Sequence, residues 1–289
     1  MQMAGRTAMG PLVRPAEPSD KEPLMSFIKG VWGGHDYIPG VWDEWIRDRV
    51  NRVFVVEADG VPVGMNRLRF MEDGSAWFEG ARVHPAHRGK GLATMLGENS
   101  MKVARGMGIG TFRLTSGSRN KTAHRQIARI GFAEVARFSI YEPSKGPLSR
   151  GGATRVRPGG LDEIMGLVRG SAEFKLGHGV FWHNWGAAMI TPEVLRRLVD
   201  EGSVWRLGGA VAVTKAGGEG RGVWEQIGFI GGEPRDAVRL VRCVLGRRKD
   251  ASERWVFVPQ GSPLVHCLRT AGFERHFSNI LFERKAAKD

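Results

Sequence analysis

Apolar and polar positions change period several times in the first half of the chain, and each change marks an element. Leu12-Val13-Arg14 reads as a short strand, and Ser19 to Val31 and Val41 to Val50 carry apolar residues at the three-to-four spacing of amphipathic helices. Three strand-type runs come next, Val53 to Ala58, Val61 to Met71 and Ala76 to Val83, separated by the turn pairs Asp59-Gly60 and Asp73-Gly74. The period returns to 3.6 at Leu92, Met95, Leu96 and Val103, which predicts a helix. Thr111 to Thr115 then reads as a strand, Asn120 to Ile130 as a helix, and the residues up to Tyr141 as a closing hairpin. Asn120 is a good N-cap, and Gly131 suits the left-handed position just past a helix end.

The pattern recurs beyond a Gly-, Ser-, Lys- and Pro-rich stretch from Pro143 to Gly152. Val156-Arg157-Pro158 parallels Val13-Arg14-Pro15 and is succeeded by a helix near Leu161 to Val168. Strands near Val204 to Val213 and Val223 to Ile230 lead into a helix at Asp236 to Leu245, then a strand at Trp255 to Val258. The spacing of eleven residues from Gly261 to Gly272 equals that from Asn120 to Gly131. An internal duplication explains this, so the expected organisation is a first domain over 1–145, a linker over 146–152 and a second domain over 153–289. Length agrees, since 289 residues favour two domains.

The stretch from Val83 to Ala93 holds the most specific chemistry. It reads as a strand end, a turn, an Arg-Gly-Lys-Gly-Leu-Ala loop and a helix. Gly89 and Gly91 permit the positive φ angles that turn backbone N–H groups toward one anion. The helix start adds unpaired N–H groups and the positive end of its dipole, and Arg88 and Lys90 add formal charge. No Gly-Lys-Ser/Thr comes after it, as a P-loop needs, and there is no Gly-x-Gly-x-x-Gly. The physics describes a pyrophosphate site.

This loop resembles motif A of the GNAT superfamily of acyl-CoA N-acyltransferases, with Arg88, Gly91 and Ala93 filling its signature. Asn120, Ala123 and the Gly131-Phe132 pair resemble motif B, and the order of elements is the GNAT order. The resemblance implies an α/β fold with a mixed sheet, in two tandem copies. It implies acetyl-CoA as co-substrate, held by Ala81, Arg82, Val83, Arg88, Gly89, Lys90, Gly91, Leu92, Ala93, Asn120 and Ala123. Where the family often carries a tyrosine as general acid, this chain has Ile127. In the second half, Gly231-Gly232-Glu233-Pro234-Arg235 puts an acid and a proline where N–H donors belong. The second copy is therefore expected to be degenerate and free of cofactor, with a structural and substrate-shaping role.

A narrower resemblance joins Gly33-Gly34-His35-Asp36-Tyr37-Ile38-Pro39 and Trp45-Ile46-Arg47-Asp48 to the group containing histidine N-alpha-acetyltransferase. Phe181-Trp182-His183-Asn184-Trp185 extends it into the second half. It implies transfer of acetyl to the amino group of a small amino-acid-like acceptor, histidine among the possibilities. Such an amine is protonated at pH 7, so a base is needed. Glu79 is the candidate, expected on the same strand face as Ala81 and Val83, with its basicity raised by Trp77 and Phe78. Tyr37 is a candidate acid or pocket residue, with Ser116 and Ser118 as alternatives for the acid. Trp32, Asp36 and Tyr37 are the expected acceptor-binding residues. Asp36 either meets the ammonium or caps its own turn, and Trp32, Trp42 and Trp45 offer an aromatic wall.

The formal charge of +13 points toward a polyanionic partner, but it is spread over both halves without a run of like charges. A cofactor with phosphates accounts for part of it, and neither nucleic acid nor a membrane is expected as partner. His84, His87 and His124 match no metal-ligand spacing, so no metal is expected. Two cysteines, no long apolar run and no signal region suggest a cytoplasmic protein. Two alternatives stay open: a non-catalytic acyl-CoA-binding regulator, and an acetyltransferase for other amines or protein N-termini.

Overall fold

The computed structural model describes residues 10–144, 148, 151–217 and 222–286, apart from the Trp32 side chain. The first half runs β1 (Leu12–Pro15), α1 (Lys21–Ile28), α2 (Ile38–Arg47), β2 (Arg52–Ala58), β3 (Val61–Phe70), β4 (Ala76–Val83), α3 (Leu92–Gly106), β5 (Thr111–Gly117), α4 (Lys121–Arg129) and β6 (Ala133–Pro143). The second half runs β7 (Thr154–Arg155), α5 (Leu161–Gly170), α6 (Ala172–Leu176), β8 (Val180–His183), β9 (Gly186–Met189), α7 (Pro192–Asp200), β10 (Val204–Leu207), β11 (Ala210–Gly217), β12 (Trp224–Gly232), α8 (Pro234–Leu245), β13 (Glu253–Pro259), α9 (Leu264–Thr270) and β14 (Phe273–Lys285).

One twelve-stranded sheet joins them in the order β1-β2-β3-β4-β5-β14-β6-β13-β12-β11-β10-β7. The order reads the same from both edges once β1 is matched with β7, β2 with β10, and so on to β6 with β14. The repeat read in the sequence is thus a pseudo-two-fold. At its centre the halves exchange strands. The last strand of the first half, β6, lies between β13 and β14. The last strand of the second half, β14, lies between β5 and β6. The closing hairpin expected before Tyr141 is therefore absent: β6 is a single strand whose partners both come from the other half. Hairpins form when a tight turn joins adjacent strands, but here the chain leaves β6 to build the second half.

Helices cover both faces of this sheet because its strands are apolar on both faces. Along β2, Val53 and Val55 pack on α1 and α2 with Leu24, Ile28, Trp42 and Trp45. Phe54 and Val56 face α3 with Leu92, Leu96 and Met101. In the second half, α8 and α9 bury Leu240, Val244, Leu264 and Leu268 against Ile227, Val256 and Val258. The fourth cluster is shared, joining Met71, Trp77 and Phe138 of the first half to Phe181, Trp182, Leu195 and Phe257 of the second.

Other expected boundaries shift for local reasons. The first expected helix is a short 3-10 turn, Pro18–Asp20, and then α1, which ends before Gly30 and the Gly33-Gly34 pair. The second helix starts earlier, at Ile38, with Pro39 in its first turn, where a missing N–H costs nothing. The strand expected over Val204 to Val213 turns back at Gly208-Gly209 to give β10 and β11. The β8–β9 hairpin carries only a weak turn signal, Asn184. Its two-residue turn uses Asn184 (φ 44°) and Trp185 (φ 63°), the second where glycine is usual.

Candidate active site

The loop after β4 has the expected conformation. Gly89 and Gly91 adopt φ of 78° and 80°, and a Cβ on either would meet nothing within 4 Å. Glycine is required here for the backbone angle rather than for space. Gly91 is the N-cap of α3, with no side-chain cap and no acidic residue in the first turn. The Arg88 Nε donates to the Val83 carbonyl at 3.3 Å, and the His84 Nδ1 accepts from the Ala86 N–H at 3.2 Å, which shapes the approach.

This loop opens onto a split in the sheet. Parallel pairing between β4 and β5 runs only from Ala76–Phe112 to Phe78–Leu114, after which the strands part. The cause is a bulge in β4: Gly80 and Ala81 together oppose the single residue Asn66 on β3. Gly80 takes φ 68°, and a Cβ there would come within 2.9 Å of the Trp45 ring. A continuous cleft of about 2310 Å³ passes through the split. Its lining includes Ala81, Arg82, Val83, Arg88, Gly89, Gly91, Leu92 and Ala93 on one side, and Asn120 and Ala123 of the α4 start on the other. Lys90 stands exposed outside this cleft. Asn120 caps α4 as expected, its Oδ1 accepting from the Ala123 N–H at 3.1 Å. Two glycines at positive φ, an uncapped helix start and parted strands fit a long, diphosphate-bearing thioester. Ile127 is buried among Phe78, Leu96 and Phe132, with no proton to give.

At the far end of the cleft Glu79 lines the wall, but its surroundings differ from expectation. The Gly80 bulge breaks the alternation that would have put Glu79 on one face with Ala81 and Val83. Trp77 and Phe78 pack elsewhere, against Trp182 and against Phe112 and Phe132. The neighbours of Glu79 are guanidiniums instead: Arg67 Nη1 donates to Oε1 at 2.8 Å and Arg69 Nη1 to Oε2 at 3.3 Å. Arg67 also donates to Asp48 at 2.7 Å and lies over the Trp45 ring at 4.7 Å. Burial pushes the Asp48 carboxyl up, but hydrogen bonds from Asn51, Val50 and Arg67 outweigh it and bring it down to about 2. Two cations and two anions thus form one balanced patch.

The remaining expected acceptor residues divide. Tyr37 lines the cleft, edge-on to Trp45 at 5.9 Å, with the Arg82 guanidinium 5.6 Å from its ring centre. Asp36 is engaged within the protein. Its Oδ1 accepts from the Ile38 N–H at 3.0 Å, its Oδ2 pairs with Arg82 Nε at 2.6 Å, and its side chain is fully buried. Of the two readings, the cap is the one seen, and the ion pair takes the other oxygen. Trp42 is core, Trp45 reaches the cleft, and the Trp32 side chain lies outside the described residues. Ser116 and Ser118 line the cleft beside α4. Among the described residues no group of three or more His, Cys, Asp or Glu is placed to hold a metal.

The sequence predicted a substrate-shaping second half but not which of its residues reach the cleft. The β8–β9 hairpin is pinned to the first half at three points: the Asn184 carbonyl accepts from Arg69 Nη1 at 2.8 Å, His183 Nδ1 meets Glu72 at 2.7 Å, and the Met189 N–H donates to Asp73 at 2.7 Å. Burial pushes the Glu72 carboxyl up, but the His183 hydrogen bond and charge bring it down to about 2. The hairpin thereby delivers Asn184 and Trp185 to the cleft, beside Trp224, Trp255 and Phe277. The alternation Arg67-Leu68-Arg69-Phe70 in a central strand was the one available signal, since buried arginines need partners.

The sequence comparisons agree with this geometry. The model of the acetyltransferase (GNAT) family matches residues 20–132. A Xenopus tropicalis protein named histidine N-acetyltransferase is 30% identical over 123 residues, which cover 40% of this chain and 38% of that one. A human protein named "Probable N-acetyltransferase 16" is 26% identical over 206 residues, 64% of this chain and 56% of that one. The aligned parts thus span about two fifths and just over half of those relatives. Among solved structures, a GCN5-related N-acetyltransferase from Sphaerobacter thermophilus superposes with a TM-score of 0.58 at 17% identity, covering 95% of each chain, a likeness of fold that runs through both halves. Residues 20–132 of this chain thus match the acetyltransferase (GNAT) family, and the chain resembles the histidine N-acetyltransferase group within it.

Proposed function

We infer that this chain is an acetyl-CoA-dependent N-acetyltransferase acting on the amino group of a small amino-acid-like acceptor, histidine among the candidates. One observation carries the reading. A single cleft runs from an anion-binding helix start, through parted strands, to a carboxylate beside two arginines. The first end suits the phosphates of CoA, and the last suits a zwitterion, whose ammonium and carboxylate match Glu79 and the buried Arg69.

In this mechanism Glu79 takes the proton from the acceptor's ammonium, directly or through one water. The freed amine attacks the thioester carbonyl, and backbone N–H groups near Val83, where β4 has left β5, stabilise the developing oxyanion. With Ile127 in the usual acid position, the CoA thiolate leaves without a dedicated proton donor, and Tyr37 acts as a pocket residue. The hairpin pinned across the acceptor end favours a small molecule over a peptide. We read residues 1–145 as the cofactor half and 153–289 as a repeat that has lost cofactor. Two features support that. In the second half Glu233 caps α8, and the backbone of Trp182 lies against Gly228, where the equivalent split would be.

The test is release of CoA thiol from acetyl-CoA over a panel of amino acids and amines, with acetylated product identified by mass. Glu79→Gln should leave acetyl-CoA affinity nearly unchanged and lower kcat by roughly 10²-fold or more. The loss should shrink as pH rises and the amine deprotonates unaided. A variant that turns over at the wild-type rate at neutral pH removes Glu79 from the chemistry. Tight acetyl-CoA binding without turnover on any amine supports the second reading, a non-catalytic acyl-CoA-binding regulator, which the buried Ile127 favours.

A further inference from the structure

The second half also lines the cleft with aromatic groups. Trp185, at the hairpin turn, stacks on Phe277 with ring centres 5.3 Å apart and planes 22° from parallel. Trp255 at 4.9 Å and Phe257 at 5.5 Å meet it edge-on. Trp185 is only partly buried, and it lines the cleft with Trp255 and Phe277. One side chain links its turn directly to the candidate base. The same nitrogen, Arg69 Nη1, donates to the Asn184 carbonyl and to Glu79. The turn that carries Trp185 is therefore a single guanidinium nitrogen away from the candidate base.

The turn is also held in an unusual shape. Asn184 and Trp185 both have positive φ, which a bulky residue adopts only when its surroundings fix it. The surroundings here are specific: His183 is tied to Glu72, Met189 N–H to Asp73, and a Cβ on Gly186 would strike Met71 at 2.9 Å. Glycine or asparagine would fill the turn at lower cost in backbone strain. The rigid turn presents a flat apolar face beside a charge-balanced patch that suits the ammonium and carboxylate of a zwitterion.

We propose that Trp185 is the acceptor-selecting residue of this protein, and that the second half is retained to present it to an amino acid whose side chain is a flat ring. This rests on the acetyltransferase reading above. Aromatic rings gain from offset or edge contacts with such a wall, whereas a flexible aliphatic chain gains only area.

The test compares wild type, Trp185→Leu and Trp185→Phe on L-amino acids with aromatic rings and on aliphatic ones of similar volume. Wild type should prefer the ring-bearing acceptors in kcat/KM. Trp185→Leu, which keeps apolar volume without a ring, should erase about tenfold of that preference through the acceptor KM, with the KM for acetyl-CoA unchanged. Trp185→Phe should restore most of it. The proposal is overturned if wild type prefers aliphatic acceptors or shows no preference, or if Trp185→Leu keeps the ring preference. It is also overturned if Trp185→Leu and Trp185→Phe lose all acceptors equally, which assigns the indole a purely structural role. Failure of the underlying reading looks different, since wild type would then release no CoA with any amine.

Discussion

The starts of α3 and α8 occupy equivalent places in the two halves and are put to opposite use. At α3, Gly91 is the N-cap, no side chain covers the helix start, and the first turn lacks an acid. At α8, Glu233 is the N-cap and its carboxylate accepts from the Asp236 N–H at 2.9 Å. Pro234 removes one donor, and Asp236 itself accepts from the Gly209 N–H at 3.0 Å. Every helix start offers orphan N–H groups and a positive dipole end. At α8 the Glu233 carboxylate takes one of them and Asp236 adds a second negative charge, while at α3 no side chain does either. The comparison teaches that a fold shared by two halves does not carry a shared site. Three or four residues at one helix terminus decide the matter.

The most severe way to break the comparison is to separate the halves. Residues 1–145 alone would leave β5 and β6 without β14 between them, exposing unpaired strand edges and half of the shared core. This fragment should aggregate or show no cooperative thermal transition, and a sharp transition like that of the whole chain would make the exchanged strands dispensable. Next in size is Gly91→Glu, which imitates the carboxylate of α8 at α3 and imposes a positive φ on a residue with a Cβ. Calorimetry should find one acetyl-CoA site per wild-type chain, none in Gly91→Glu, and unchanged affinity in Glu233→Gln. Two sites per chain would contradict a cofactor-free second half.

The smallest expected effect concerns Glu225 on β12. Burial pushes this carboxyl up to about 7, only partly offset by Arg254 and Arg248. Its Oε2 is buried without a hydrogen-bond partner among the described residues. Since the folded value lies above the unfolded one, the stability from the protonated form is complete below about pH 4.5 and is lost as pH rises through about 7. Glu225→Gln should match wild type in thermal midpoint near pH 4 and exceed it at pH 8, by about 2–4 °C for each kcal/mol gained. Equal midpoints at pH 8 would show that the ionised carboxylate is relieved by its arginines.

Much of the fold was legible because it depends on local rules. Period changes located strands and helices, Asp59-Gly60 and Asp73-Gly74 marked turns, and Gly89 and Gly91 announced a backbone that only glycine adopts readily. Glu233 and Pro234 told against an anion site in the second half for the same local reason. Errors began where distant segments meet. Asp36 pairs with Arg82, 46 residues away, and Arg69 with Asn184, 115 residues away. No spacing rule reaches that far.

By itself, then, the sequence determined the elements, their duplication and the shape of the glycine loop before α3, since each depends on φ angles, caps and periodicity within a few residues. Tertiary structure alone decided that the halves exchange their last strands, that arginines rather than aromatic rings surround Glu79, and that the β8–β9 hairpin is among the parts of the second half that reach the cleft. Those outcomes depend on which side chains satisfy one another across the sheet, and charge pairing and burial settle that only once the chain has closed.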